Sequence, residues 1–483
     1  VLLRALVASG LICSHAHVRS QPLDAAILRA IDREARAGAS GHSWLTWSTA
    51  HIGHRLTGTA HGRRAEESAD SLFHVAGVRQ VDQLPFSAPA WQRGSIEVLL
   101  LSGTGGPERL DAVALAMTPD SAFVQATVVD VGNGLTADFA AAGASLQGNM
   151  ALVNLGLLAA PTGASNLHRS EKTALALQYG AVGVLFVNNV PGHVLLTGTA
   201  STNSRPVPIP AACISQESGE RVRAQLAAGE AVEASIRMRN TNAPVTARNV
   251  VATIPGTTHA DEVVIVGGHL DCWDLATGAT DNGLGAYSIL DLARCYMALG
   301  LKPARTVQFV LFMGEEQGLL GSTAFVADRR ARGDLAQVKC MINLDMSGHP
   351  RGFNVFGPPS LVSLVRETQA AMHALDTTFR AESSQSAGLH SDHQPFMLAG
   401  IPVIAPICDL GGHVYHCYHS SCDDIGLVEP AAMVDNVRRV GQLLWALANA
   451  PELPGGLSDG ELRDRLRADG LEEKLRLQGE WRW

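Results

Sequence analysis

Residues 262–285, EVVIVGGHLDCWDLATGATDNGLG, decide how this chain is read. The run 263–266 is short and β-branched and is bounded by Gly267 and Gly268, as suits a strand buried on both faces of a parallel sheet. Over 282–299 the apolar residues recur at helical spacing, and Gly300 marks the stop. His269 therefore falls just past a strand's carboxyl end, and Asp281 just before a helix. In open α/β sheets ligands bind in that crevice, so the stretch reads as half of a metal site.

Three further strand-like runs each deliver acidic or histidine residues at their ends. Residues 306–313 (TVQFVLFM) lead to Glu315 and Glu316, and residues 338–344 (VKCMINL) lead to Asp345. Residues 402–407 lead to a loop with His413, His416, His419 and Asp423. His269, Asp281, Glu316, Asp345 and His419, with His416 competing for the last place, supply two imidazoles and three carboxylates. That set can hold two zinc ions if Asp281 bridges them. Glu315 and Glu316 cannot both easily face one metal from a strand-to-helix turn, so one is free to handle protons. Asp271, two residues beyond His269, is suited to accept a hydrogen bond from that ring's other N–H and fix its tautomer.

The whole chain limits what such a site belongs to. At 483 residues it exceeds one ordinary core, so two domains or a large insertion are expected. Its 46% hydrophobic and 17% charged content describes a packed globular protein rather than a disordered one. A net charge of −9 offers no basic footprint for nucleic acid, and no apolar run reaches the ~18 residues of a membrane span. Residues 1–16, with Arg4, an apolar run and small residues beside His15, resemble a secretory signal segment, which predicts a secreted or periplasmic protein. Cys417 and Cys422 bracket His419 closely enough to form a small disulfide loop, which fits an oxidising compartment. The other cysteines read mostly as buried small hydrophobes.

Along the chain, 22–76 reads as mainly helical around a loop, HIGHRLTGTAHG, whose His51, His54 and His61 read as solvated or hydrogen-bonded rather than as ligands. Residues 85–101 read as a strand. Residues 110–245 form a series of short strands with one helix between two of them; nothing in them points to chemistry, and they read either as a platform for substrate or partner or as a lid that shapes access. The polar run VEASIRMRNTNAPVTARN reads as the linker returning from this module. The charged tail 451–483 reads as a peripheral helix, with Leu462, Leu466, Leu471 and Leu475 available to pack on the body or on a partner subunit.

The series GGHLDCWD, ATDNGLGA, GEEQGLLGS, NLDMSG and CYHSSCDD resembles the zinc metallopeptidase family that contains secreted bacterial aminopeptidases and plasma glutamate carboxypeptidase, also called carboxypeptidase Q. HIGHRLTGT and WQRG resemble the N-terminal part of the carboxypeptidase Q relatives, and the inserted module resembles their protease-associated domain. The resemblance implies an α/β aminopeptidase-type mixed sheet with helices on both faces plus a β-rich insert. It divides the chain into a signal segment (1–16), an N-terminal part of the peptidase domain (17–109), the protease-associated domain (110–245), the catalytic zinc peptidase domain (246–450) and the tail (451–483). It also implies His269 and Asp345 on one zinc, Glu316 and His419 on the other, Asp281 bridging and Glu315 as general base. His419 rather than His416 stands in the family's His-x-x-x-Asp arrangement, and the Cys417–Cys422 pair matches cysteines that are bridged in the bacterial aminopeptidases. His390, Asp392 and His393 resemble a segment behind the ligands.

The function so implied is a dizinc exopeptidase acting on short peptides or dipeptides from the free N-terminus, through metal-activated water and a glutamate base. A homodimer is also in keeping with the relatives. Two alternatives share the fold: a zinc-dependent glutaminyl cyclase, and a receptor-like relative without zinc ligands. The complete ligand set and the protease-associated insert weigh against the first, the ligand set with Glu315 against the second, and carboxylate-rich ligation beside a spare glutamate against a closed structural metal site.

Overall fold

The computed structural model describes residues 24–101, 106–159 and 162–483, so the expected signal segment lies outside the described residues. Four strands form the centre of the peptidase half: Val403–Ile407, Val338–Asn343, His259–His269 and Arg305–Phe312, side by side in that order and mutually parallel. Their Val, Ile and Phe side chains are buried on both faces, which explains why they read as continuous apolar runs rather than alternating ones. All four runs singled out in the sequence are these strands, and their carboxyl ends point the same way.

Helices cover both faces of this sheet. On one side Leu284–Ala298, Pro430–Asn449 and Ala25–Ala37 share a core with Val264, Val266, Phe309 and Leu311. On the other, Phe325 and Phe396 pack with Ile265, Val310 and Phe312, and the tail residues Leu462, Leu466 and Leu475 join them. The tail therefore packs on the body through its helices Asp459–Ala468 and Glu472–Gln478. Among the described residues no helix is long and apolar enough to cross a membrane.

Two long strands, Gln80–Leu100 and Glu233–Ile254, pair antiparallel and connect the peptidase sheet to the insert. The polar run expected to be a linker, residues 232–249, thus forms most of the second strand from its first residue onward. Its Ala234, Ile236 and Met238 are buried and alternate with exposed Glu233, Arg237 and Arg239 over part of its length, so the charges are the solvent face of a ladder. Beyond it Ser121–Asp130, Met150–Asn154, Gly183–Val187 and Ala211–Ile214 run parallel to one another, with helices Arg169–Gln178 and Gln216–Ala227 packed beside them.

Candidate metal centre

The proposed ligands meet because their strands are neighbours. His269 is the last residue of its strand, and Asp281 lies in the irregular turn Ala279–Gly283 that opens the helix Leu284–Ala298. Glu315 and Glu316 follow Arg305–Phe312, Asp345 follows Val338–Asn343, and His419 is reached from Val403–Ile407 through a longer loop closed by a Cys417–Cys422 disulfide.

The distances divide the site into two lobes around Asp281. Its Oδ1 stands 3.3 Å from His269 Nε2, and its Oδ2 stands 3.0 Å from His419 Nε2. Asp345 Oδ1 lies 3.5 Å from His269 Nε2, while Glu316 Oε2 lies 3.0 Å from His419 Nε2. His269, Asp281 and Glu316 also present ligand atoms that all lie within 4.8 Å of one another, so Glu316 borders both lobes. Glu315 Oε2 is 3.9 Å from His269 Nε2, outside the closer contacts. His416 is exposed and His419 is buried.

Surrounding hydrogen bonds fix these side chains. Asp423 accepts from Thr280 N (2.8 Å), Thr280 Oγ1 (2.6 Å) and Asp281 N (3.0 Å), which anchors the turn carrying Asp281. Ser391 Oγ donates to Asp345 Oδ2 at 2.7 Å and accepts from Asn343 Nδ2 at 2.8 Å. At His269 the Nδ1 partner is the Asp271 carbonyl (3.0 Å) rather than its carboxylate, whose Oδ1 stands at 3.7 Å. That Oδ1 instead accepts from the Glu315 N–H at 3.2 Å, so Asp271 holds the backbone of the glutamate.

Arg55 was hidden in the sequence among the histidines of HIGHRLTGT. It is fully buried and donates to the carbonyls of Leu270 (2.6 Å), Thr277 (2.7 Å) and Gly278 (2.8 Å), tying down both ends of the loop between His269 and Asp281. His54 and His61 stack on each other at 4.4 Å beside it. Only the chain's return to this loop from more than 200 residues away makes Arg55 informative, and no local pattern carries that.

The insert, in which the sequence shows no cluster of acids or histidines, nevertheless borders the site. A cavity of about 260 Å³ is lined by Asp281, Glu315, Glu316, Asp345 and His419 and, from the insert, by His168, Arg169 and Thr199. Arg169 Nη2 is 3.1 Å from His419 Nδ1, and the Thr197 carbonyl is 3.3 Å from the same nitrogen. Arg93 reinforces the junction, reaching Asp274 at 2.8 Å and Thr197 Oγ1 at 2.9 Å. Arg169 is one of several cations in the module, and nothing in its local sequence marks it out from the others.

The electrostatics of the site call for a cation. Burial drives the Glu315 carboxyl well above its usual range, against the pull of His269, with Glu316, Asp345 and Asp392 adding to the rise. Burial also pushes Glu316 up to about 7, partly offset by His419. Burial opposes ionisation of Asp281, but hydrogen bonds to His269 and His419 outweigh it and hold its pKa low. Glu316 Oε1 is buried with no hydrogen-bond partner among the described residues. An orphaned carboxylate oxygen, imidazole Nε2 atoms facing inward and a crowd of buried acids fit a zinc site.

Comparison with known proteins agrees. Residues 249–444 match the profile of peptidase family M28, and residues 124–222 match that of the PA domain. Carboxypeptidase Q of Bos taurus is 24% identical over 410 residues, covering 82% of each chain. Leupeptin-inactivating enzyme 1 of Streptomyces exfoliatus is 29% identical over 235 residues, 45% of this chain and 52% of that one. Among solved structures, an M28 peptidase precursor from Shewanella amazonensis superposes with a TM-score of 0.76 at 25% identity, over 90% of this chain and 99% of the other. A zinc aminopeptidase from Bacillus subtilis superposes with 0.61 at 25% identity, over 84% and 92%.

Fold, site and comparisons define a zinc metallopeptidase. Its peptidase half is similar to peptidase family M28, to carboxypeptidase Q and to a bacterial zinc aminopeptidase, and its insert is similar to the PA domain.

Proposed function

We propose that the protein is a dizinc exopeptidase that hydrolyses short peptides or dipeptides carrying a free N-terminus. The observation that carries this reading is the division of Asp281: one carboxylate oxygen faces His269 and the other faces His419. A single carboxylate shared in this way suits a pair of ions, one with His269 and Asp345 and the other with His419 and Glu316. When bound, zinc supplies Lewis-acid polarisation of the scissile carbonyl and acidifies water.

Glu315 is assigned the proton traffic. It is partly exposed to the cavity and lies farther from His269 than Asp281 and Asp345 do, as suits a group that takes the proton of the attacking water and returns it to the leaving amine. Asp271 positions it through the Glu315 N–H. The free N-terminus is assigned by likeness to the zinc aminopeptidase of Bacillus subtilis. We assign 17–109 and 246–450 to the peptidase and 110–245 to the insert. The Cys417–Cys422 disulfide supports a secreted or periplasmic location.

The test is hydrolysis of a dipeptide panel by the zinc-loaded full chain, with and without N-terminal acetylation and with and without chelator. The expected result is cleavage of the free dipeptides that both chelator and acetylation abolish. Equal cleavage of acetylated peptides would remove the free-amine requirement, and cleavage indifferent to chelator would remove the metal mechanism.

A further inference from the structure

A second cavity adjoins the catalytic one. Its volume is about 530 Å³ against about 260 Å³, and the two share His168 and Thr199 of the insert and Gly318, Leu319 and His390 of the peptidase half. They are therefore compartments of one cleft between the two halves of the molecule. The insert seats directly on the turn that follows Glu315 and Glu316: Ser204 Oγ donates to the Gly318 carbonyl at 3.0 Å, and a Cβ on Gly318 would fall 2.4 Å from that same oxygen.

The second compartment has a chemistry of its own. Where the catalytic cavity gathers buried acids, this one presents Ser170, Asn203, Thr323, Gln394 and Gln478, groups that can both donate and accept. Among the described residues its lining holds no lysine or arginine and one carboxylate, that of Glu480 in the tail. Burial, with Arg169 adding to it, holds His168 well below the usual histidine range, so that ring is neutral. His390 faces the buried Glu171 at 3.2 Å, which balances any proton the ring takes. The charge of the compartment is thus set by Glu480.

Glu480 is also fixed in place. Gln394 Nε2 donates to its Oε2 at 2.9 Å and to Gln478 Oε1 at 2.9 Å, and Gln478 Nε2 donates to Glu171 of the insert at 2.9 Å. No cation of the protein pairs with Glu480 among the described residues. A carboxylate pinned by amides on the wall of an otherwise neutral polar cavity favours a cation there.

The layout of the cleft says which part of a substrate arrives. An enzyme that removes the first residue keeps that residue at the metals, and only the part beyond the scissile bond varies in length. Two extended residues, about 7 Å, carry the chain on past the shared wall. We propose that the second cavity receives the leaving part of tripeptides and longer substrates and that Glu480 selects a lysine or arginine side chain there. This rests on reading the site as that of an exopeptidase acting from the free N-terminus.

The experiment follows the initial release of alanine from Ala-Leu, Ala-Ala-Lys, Ala-Ala-Gln and Ala-Ala-Glu by the zinc-loaded full chain and by Glu480→Gln and Glu480→Lys, with thermal melts to check that each variant folds. Wild type is expected to prefer Ala-Ala-Lys over Ala-Ala-Gln by roughly 3- to 10-fold in kcat/KM, the value of one solvent-accessible ion pair, and to use Ala-Ala-Glu least. Glu480→Gln should bring the lysine-to-glutamine ratio close to one. Glu480→Lys should turn the preference towards Ala-Ala-Glu, a reversal that loss of packing alone does not produce. Equal use of the three tripeptides by wild type, variants that keep the wild-type order, or cleavage of Ala-Leu without any tripeptide would each overturn the proposal and leave the peptidase reading standing. If neither Ala-Leu nor a tripeptide is cleaved, the peptidase reading fails and the proposal falls with it.

Discussion

At the scale of single residues, the different work proposed for the adjacent glutamates rests on a difference in placement. Glu316 is buried against His419, whereas Glu315 opens onto the cavity with its backbone held by Asp271. Glu315→Gln keeps the shape and removes the proton acceptor, so kcat is expected to fall by about 10²- to 10⁴-fold while the zinc content stays that of wild type. Near-normal turnover in this variant would show that another group carries the proton. The sequence made both glutamates visible, because two acids directly after an apolar strand have no packing role. It did not make Arg55, Ser391 or Asp423 visible in their actual roles. Each acts by a hydrogen bond to a partner far away in the chain or to a backbone group, and such bonds leave no spacing to read.

At the scale of elements, the four central strands were legible as buried apolar runs, and the proposed ligands stand at or beyond their carboxyl ends. The strand Glu233–Ile254 differs from the expected linker because the charged residues of its solvent face mask the alternation of buried Ala234, Ile236 and Met238. The helix Arg169–Gln178 illustrates a cost that composition alone conceals. Its Lys172 is fully buried, with Nζ donating to the carbonyls of Asn154 (2.7 Å) and Leu155 (3.1 Å). Burial lowers its pKa from 10.5 to about 8, against the attraction of Asp138 and Glu171. Between those values the unfolded chain binds more protons than the folded one, so this group makes stability rise with pH across that window. Below pH 8 both states are protonated and the full penalty, on the order of 3 kcal/mol, is in force. Thermal unfolding of wild type and Lys172→Met from pH 7.5 to 10.5 should therefore show wild type gaining on the variant as pH rises. A constant difference between the two would mean that Lys172 keeps its ordinary pKa.

At the scale of the molecule, the catalytic cavity lies between the peptidase half and its insert rather than within either. The tail helps hold them together: Gln478 donates to the insert's Glu171 at 2.9 Å, Glu171 in turn faces His390 of the peptidase half at 3.2 Å, and His390 stacks on His168 at 4.3 Å. The sequence revealed an insert and a tail but not that both frame the site, since contacts between distant segments are set by the packed whole. The account as a whole depends on Asp281 serving two ions. Elemental analysis of the purified full chain and of Asp281→Ala tests this most directly. The account predicts two zinc ions per wild-type chain and a loss of both, or nearly so, in the variant. One zinc in wild type, or two retained without Asp281, would contradict it.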